Sequence, residues 1–201
     1  MIVKRDGTKE EINIDKIHFV VEEACKDLIG VSSSQIEMNA NLQFYDGMTS
    51  AEIQEILIRS ANDLISLDAP NYQTAAARLL SYSVNKQVFG EFEPISLKEM
   101  IDLNISRKVY DPEFLTYYTE EEINKLDSFI CHPRDEHFTY AGMRQVVDKY
   151  LCQDRSNNQL FETPQIMYMM IAATLFAQYP KETRLQYVRK YYNATSLFKI
   201  N

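Results

Sequence analysis

Ile2-Val3-Lys4-Arg5-Asp6-Gly7, then Lys9, Glu10 and Asn13-Ile14-Asp15-Lys16-Ile17, open the chain and carry four of the eight Lys and Arg residues of positions 1–94. Asp6-Gly7 between Ile2-Val3 and Ile12-Asn13-Ile14 predicts a β-hairpin, because glycine tolerates the positive φ of a primed turn. Asp15 reads as the N-cap of a helix, with Ile17, Val20, Val21, Ala24 and Leu28 at helical spacing behind it. Lys16 then falls in the first turn, where the helix macrodipole disfavours a cation. A bound anion reverses that penalty, and a helix N-terminus with free N–H groups recruits one. Polyphosphate is the expected ligand, and a solvated basic edge strand that resists edge pairing is the structural alternative.

At 201 residues and 45% hydrophobic, the chain can bury a full core in one or two domains. Its net charge of −8 argues against a nucleic-acid partner, which demands a basic face. Cys25, Cys131 and Cys152 are odd in number and lack CxxC spacing, and no signal peptide precedes them. A reducing cytosol is expected, with no disulfide or zinc framework. The longest apolar stretch, Ile166 to Ala177, is about half of what a bilayer span needs, so it is expected to be a buried helix, not a membrane anchor.

Ser32-Ser33-Ser34 offers an N-cap for a short helix through Tyr45, ended by Asp46-Gly47. Thr49-Ser50-Ala51-Glu52 is a capping box. Behind it Ile53, Ile56, Leu57, Ala61, Leu64 and Ile65 form one apolar stripe that leaves Gln54, Arg59, Asn62 and Asp63 outside. Asp68-Ala69-Pro70 breaks that helix, and the next runs through Ala75-Ala76-Ala77 to a Gly90 C-cap. Four helices and a hairpin make the first unit, residues 1–94, bounded by Glu91-Phe92-Glu93-Pro94. The second unit, 95–201, is all helical, with starts at Ser96, at the Thr119–Glu122 capping box, near Thr139, at Thr163-Pro164 and after Pro180. A turn at Asp154–Asn158 leads into a short β-like Leu160-Phe161-Glu162. Its many tyrosines are expected to pack and to hydrogen-bond.

His18, His132 and His137 stand at no metal-ligand spacing, and His132-Pro133-Arg134-Asp135 reads as a structural polar loop. No Walker A, GxGxxG or nucleophile elbow occurs. The hairpin remains, with Ser50, Gln54 one turn beyond it, and Tyr82 and Lys86 at i and i+4 as candidate second walls.

The opening stretch resembles an ATP-cone, the nucleotide-sensing module of ribonucleotide reductases. Phe44-Tyr45-Asp46-Gly47-Met48-Thr49, Asp68-Ala69-Pro70-Asn71-Tyr72-Gln73, Ala76-Ala77-Arg78-Leu79, Phe89-Gly90-Glu91-Phe92-Glu93-Pro94, Tyr118-Thr119-Glu120-Glu121-Glu122, Phe138-Thr139-Tyr140-Ala141 and Glu182-Thr183-Arg184-Leu185-Gln186-Tyr187-Val188 all look like the aerobic class I large subunit, in order, over essentially the whole chain. The resemblance implies a mainly α fold: a four-helix cone with a β-hairpin lid, then a helical shoulder that in the family precedes a ten-stranded α/β barrel. It implies ATP or dATP as allosteric effector, with Mg accompanying the triphosphate. Lys4, Arg5, Lys16 and Lys86 would face phosphates, Ser50 stands where the family has threonine, Glu10 and Asn13 would face the adenosine end, Tyr82 holds an aromatic position, and Ile17 would also be a nucleotide-binding residue. Gln54 stands where many dATP-inhibited members have histidine, so nucleotide binding is expected to survive better than dATP inhibition.

The redox cysteines, the thiyl-radical cysteine and the substrate loop of the family have no counterpart in positions 1–201. The chain by itself is therefore expected to hold no catalytic residue and no metal site. It would work in bacterial cytoplasm, or in host cytoplasm if viral, with a barrel-bearing C-terminal part and a radical-generating small subunit, as a shortened chain or as one piece of a split subunit. The alternative reading is a stand-alone nucleotide-sensing or adaptor module. A cone-bearing repressor would add a zinc ribbon and a basic DNA-facing surface, and both are missing.

Overall fold

The computed structural model describes residues 1–4, 7–90 and 93–200. In chain order it holds β1 (Ile2–Val3), β2 (Lys9–Glu10), α1 (Ile14–Cys25), α2 (Ser33–Asn41), α3 (Ser50–Asp63), α4 (Tyr72–Phe89), α5 (Leu97–Ser106), the single turn α6 (Phe114–Tyr117) and α7 (Glu120–Asp127). A 3₁₀ segment, His132–His137, then leads to α8 (Tyr140–Lys149), β3 (Gln153–Asp154), β4 (Gln159–Leu160), α9 (Pro164–Leu175) and α10 (Lys181–Ser196). The fold is mainly α, as the sequence predicts.

Contacts divide the chain into two compact units, residues 1–83 with 136–145, and 84–135 with 146–201. The sequence places the division at Pro94, which lies inside the second unit, and gives no sign that 136–145 packs with the first. Helix α4 continues without a break to Gly90, whose N–H reaches the Lys86 carbonyl (3.1 Å) at φ 82°, so its last turns, from Val84, count with the second unit. Glu91 and Phe92 of the expected boundary fall outside the described residues.

In the first unit, β1 pairs antiparallel with β2, Ile2 opposite Glu10 and Val3 opposite Lys9. The second strand thus comes earlier than the expected Ile12–Ile14. Residues 12–14 are claimed instead by α1, because the Asn13 side chain accepts from the Lys16 N–H (2.9 Å). Asn13 is the N-cap and Asp15 sits in the first turn, where its charge suits the macrodipole. Lys4 N–H donates to the Thr8 carbonyl (2.8 Å) and Gly7 N–H to the Lys4 carbonyl (3.0 Å), with Gly7 at φ 83°. Gly7 thus takes the positive φ expected of it, while Arg5 and Asp6 lie outside the described residues.

Helix α2 ends at Asn41, four residues before the expected Tyr45. Helix α3 starts on the predicted capping box, with Glu52 N–H on Thr49 Oγ1 (3.1 Å) and Thr49 N–H on the Glu52 carboxylate (2.7 Å). Its buried face is Ile53, Ile56, Leu57, Ile58, Ser60 and Ala61, while Ile65 is exposed. The helix stops at Asp63, so the stripe cannot continue to Ile65. Fully buried Ala75, Ala76 and Ala77 let α4 approach its neighbours closely. Tyr72 Oη ties the start of α4 to α2, donating to Gln35 Oε1 (2.6 Å) and accepting from Ser32 N–H (3.0 Å). Arg78 Nη1 donates to the Lys26 carbonyl (2.7 Å) just past the end of α1, where the macrodipole favours a cation.

The second unit is built around α9, buried from Pro164 through Met170 except at Tyr168, against α10. The Ser96/Glu99 and Thr119/Glu122 capping boxes start α5 and α7. Arg184 of α10, 2% exposed, ion-pairs Glu122 (2.5 Å) and lies over the Tyr118 ring (4.4 Å), whose hydroxyl donates to the Ala173 carbonyl (2.7 Å). His132-Pro133-Arg134-Asp135, expected as a loop, is 3₁₀ and carries a buried network. Gln165 Nε2 donates to Asp135 Oδ1 (2.8 Å), and Gln165 Oε1 accepts from Tyr192 Oη (2.7 Å) and Ser196 Oγ (2.7 Å). Tyr192 Oη in turn accepts the Cys131 N–H (2.8 Å), so the hydroxyls are packing handles. No helix among the described residues is long and apolar enough to cross a membrane.

Burial pushes the Asp135 carboxyl up to about 7, while the Gln165 amide opposes that rise. A carboxyl raised in the folded state and ordinary in the unfolded one contributes stability that is lost as pH rises from the unfolded toward the folded pKa. Asp135→Asn should therefore gain stability relative to wild type between about pH 4 and pH 7, by at most about 1.4 kcal/mol per unit, and gain nothing further above that window. Urea unfolding of both proteins across this range reads the difference.

Candidate functional site

The hairpin lies between two helix starts. On one edge β1 pairs with β2, and three residues after β2 the Asn13 cap opens α1. On the other edge Val3 N–H donates to the Met48 carbonyl (2.9 Å), Gly47 N–H donates to the Met1 carbonyl (2.9 Å), and Val3 forms a parallel bridge with Thr49, the N-cap of α3. Lys4 and Ser50 are the next residues along these bridged segments, and Ser50 is the first residue of α3. The Met1 ammonium holds Asp46 at 2.7 Å and keeps its carboxyl below the usual range. β1 is thus paired on both edges and is not itself an open edge strand.

The predicted residues are placed as follows. Lys4 is half-buried, and its Nζ lies 2.7 Å from Glu10 Oε2. Asn13 Oδ1 is used as the cap, accepting from the Lys16 N–H. Lys16 is exposed in the first turn of α1, next to half-buried Ile17. Gln54 is not outside: it is half-buried, and its Nε2 donates to the Leu79 carbonyl of α4 (2.9 Å). Ser50 and Gln54 share a face of α3, and Tyr82 stands three residues beyond Leu79 on α4. Burial raises the Tyr82 hydroxyl pKa, with Glu136 adding to the effect and Arg78 opposing it. Lys86 follows one turn later, exposed, on the part of α4 that counts with the second unit. Arg5 lies outside the described residues. The structure thus ties Lys4, Glu10, Ser50 and the starts of α1 and α3 to one small sheet, and ties Gln54 to α4.

Sequence reasoning missed Glu55 and Arg144. Arg144 Nη2 lies 2.6 Å from Glu55 Oε1 and joins the 136–145 segment to α3, one residue from Gln54. Eighty-nine positions separate the two, and a separation of that size carries no local signal.

Residues 1–87 match the ATP cone domain family, and residues 136–201 match the all-alpha domain of ribonucleotide reductase. The chain therefore carries an ATP cone domain and a ribonucleotide reductase all-alpha domain. Over its full length it is similar to ribonucleoside-diphosphate reductase alpha subunits and corresponds to their N-terminal part. It is 46% identical over 201 residues to subunit alpha of reductase 1 from Escherichia coli K12, covering all of this chain and 26% of that protein. The Haemophilus influenzae subunit alpha is 45% identical over 201 residues, covering all of this chain and 27% of that protein, and the subunit from Enterobacteria phage T4 is 38% identical over 202 residues, covering all of this chain and 26% of that protein. The chain spans about a quarter of the length of these relatives.

The Gln54–Leu79 bond carries a stability consequence. Gln54→Ala should cost about 0.5–1.5 kcal/mol, the net worth of a neutral hydrogen bond, while circular dichroism shows helix content unchanged. The denaturation midpoint measures the cost.

Proposed function

We propose that the chain is the regulatory N-terminal part of the large subunit of an aerobic ribonucleoside-diphosphate reductase, which makes deoxyribonucleotides for DNA synthesis, and that its cone binds ATP or dATP as effector. The observation that carries this reading is β1 paired on one edge to β2 and on the other to the N-cap of α3, within residues that match the ATP cone family. Two helix N-termini with unsatisfied N–H groups and lysines at hand suit a triphosphate. Lys4, Arg5, Lys16 and Lys86 bind phosphates, with Mg²⁺ accompanying them. Ser50 donates its hydroxyl at the start of α3, Glu10 and Asn13 serve the adenosine end, Ile17 also lines the nucleotide, and Tyr82 is the aromatic wall. The catalytic cysteines belong to the barrel-bearing part of the subunit, and a radical-generating small subunit completes the enzyme in the cytoplasm. The match of residues 136–201 to the reductase all-alpha domain favours this over a stand-alone sensor, which has no use for it.

Charge-assisted contacts are each worth about 1.5–3 kcal/mol, so Lys4→Ala and Lys86→Ala should each weaken ATP binding about tenfold or more. Calorimetry on the 201-residue chain tests this, and an absence of heat with wild type and both variants overturns the reading.

Regulation follows from Gln54. One Nε2 hydrogen is given to the Leu79 carbonyl, which leaves Gln54 a second N–H and its Oε1 but no cationic form, whereas a histidine can become cationic. Coupling between effector site and active site is a difference of only about 1–3 kcal/mol, small enough for one contact to cancel. In an enzyme reassembled from this chain, the barrel-bearing part and the small subunit, dATP should activate or leave CDP reduction unchanged, and Gln54→His should restore inhibition. A titration with dATP showing deep inhibition of the wild type contradicts this.

A further inference from the structure

Residues 136–145 come from far along the chain, yet they count with the first unit, and an ion pair ties each of their ends to it. At one end Glu136 Oε2 lies 3.6 Å from Nη2 of Arg78 on α4. At the other, Arg144 Nη2 lies 2.6 Å from Glu55 Oε1 on α3. Between them Phe138 and Met143 are buried. The Arg78 guanidinium also donates to the Lys26 carbonyl, so it joins the end of α1 to the same segment. Arg144 lies over the Tyr140 ring (5.7 Å), a contact that restrains its long side chain.

The two partners on α3 and α4 stand beside one bond. Gln54 Nε2 donates to the Leu79 carbonyl (2.9 Å), Glu55 follows Gln54, and Arg78 precedes Leu79. A change in the spacing of α3 and α4 at this bond therefore moves both ion pairs at once. Helix α8 begins inside the segment and runs unbroken from Tyr140 to Lys149, with its residues from Val146 counting with the second unit.

We infer that residues 136–145 are the output segment of the cone, through which a nucleotide held by α3 and α4 acts on α8. This rests on the nucleotide reading above. A ligand that meets Gln54 on α3 and Tyr82 on α4 sets the spacing of those two helices. Glu55 and Arg78 move with them, and Arg144 and Glu136 follow because charge-assisted pairs hold a defined geometry. Each pair is partly exposed and weak by itself. Acting on opposite ends of one segment anchored by buried side chains, the two together bias its position. Contacts that differ between the occupied and empty states are what coupling requires.

The test is hydrogen exchange of the 201-residue chain with and without saturating Mg-ATP, read at the amides of 138–149, with calorimetry of the same samples. The variants are Glu55→Gln, Glu136→Gln, the charge swap Glu55→Arg with Arg144→Glu, and Asp63→Asn, an exposed carboxylate at the end of α3 outside both pairs. In wild type, ATP should change exchange there by about two- to fivefold, the range that ion pairs of this exposure can transmit. Glu55→Gln and Glu136→Gln should each keep ATP affinity within about twofold and lose most of that change. The swap should restore it, and Asp63→Asn should leave it intact. A purely structural role would alter exchange equally with and without ATP. The inference fails and the nucleotide reading stands if wild type binds ATP with exchange at 138–149 unaltered, if both Gln variants keep the full change, if the swap does not restore it, or if Asp63→Asn abolishes it. Where Glu55→Gln does not fold, Glu136→Gln and the swap decide by the same criteria. If wild type binds no ATP, both readings fail.

Discussion

The hydrogen bonds on the two edges of β1 are the constraint on which the first unit depends. A two-residue strand is far too short to be stable by itself. Here Ile2 and Val3 are clamped between Lys9–Glu10 and the Gly47–Thr49 segment, with Ile2 at 8% exposure and Met48 at 1% anchoring the pairing in the core. Because Thr49 is also the N-cap of α3 and Asn13 follows β2 closely, this pairing holds the starts of α3 and α1 beside the same strand. The caps set where each helix starts along the chain; the pairing sets which strand those starts lie against.

The second unit solves a different problem, that of polar groups in a dry interior. Gln165 is fully buried and uses both ends of its amide, giving a hydrogen to Asp135 and taking two from Tyr192 and Ser196. Arg184 is nearly as buried and is matched by a carboxylate, a carbonyl and an aromatic face. Unpaired, either group would cost several kcal/mol in such surroundings. Paired, they hold α10 against α9 and α7 in one register. Asp135 is the member whose charge the site does not support, since its Oδ1 accepts from a neutral amide and burial favours its protonated form.

At the candidate site, side chains that a sequence reader takes as ligand contacts already have work inside the protein. Asn13 caps a helix, Gln54 bonds to α4 and Lys4 holds Glu10. In the proposed nucleotide site, what each of these groups can offer is limited by its internal bond. Tying a donor into the fold keeps the side chain in one rotamer and lowers the entropy lost when a ligand arrives.

The amino-acid sequence by itself determined several of the helical starts and stops: the Thr49/Glu52 and Thr119/Glu122 capping boxes, Pro164 at a first helical position and Gly90 at positive φ all act within a few residues, where local hydrogen bonding decides. It also carried the family resemblance, since motif spacing is a property of the chain alone. Tertiary structure decided the rest. The second strand came at Lys9–Glu10 and not at Ile12–Ile14, because an Asn13 cap and a β1 paired on its other edge outweigh alternation. Gln54 turned inward because a carbonyl 25 positions away stood within 2.9 Å. Asp135 and Gln165 met across 30 positions in a core no local pattern describes. Such partners are set by which helices pack together, and packing is a property of the whole fold, invisible in any window of neighbouring residues.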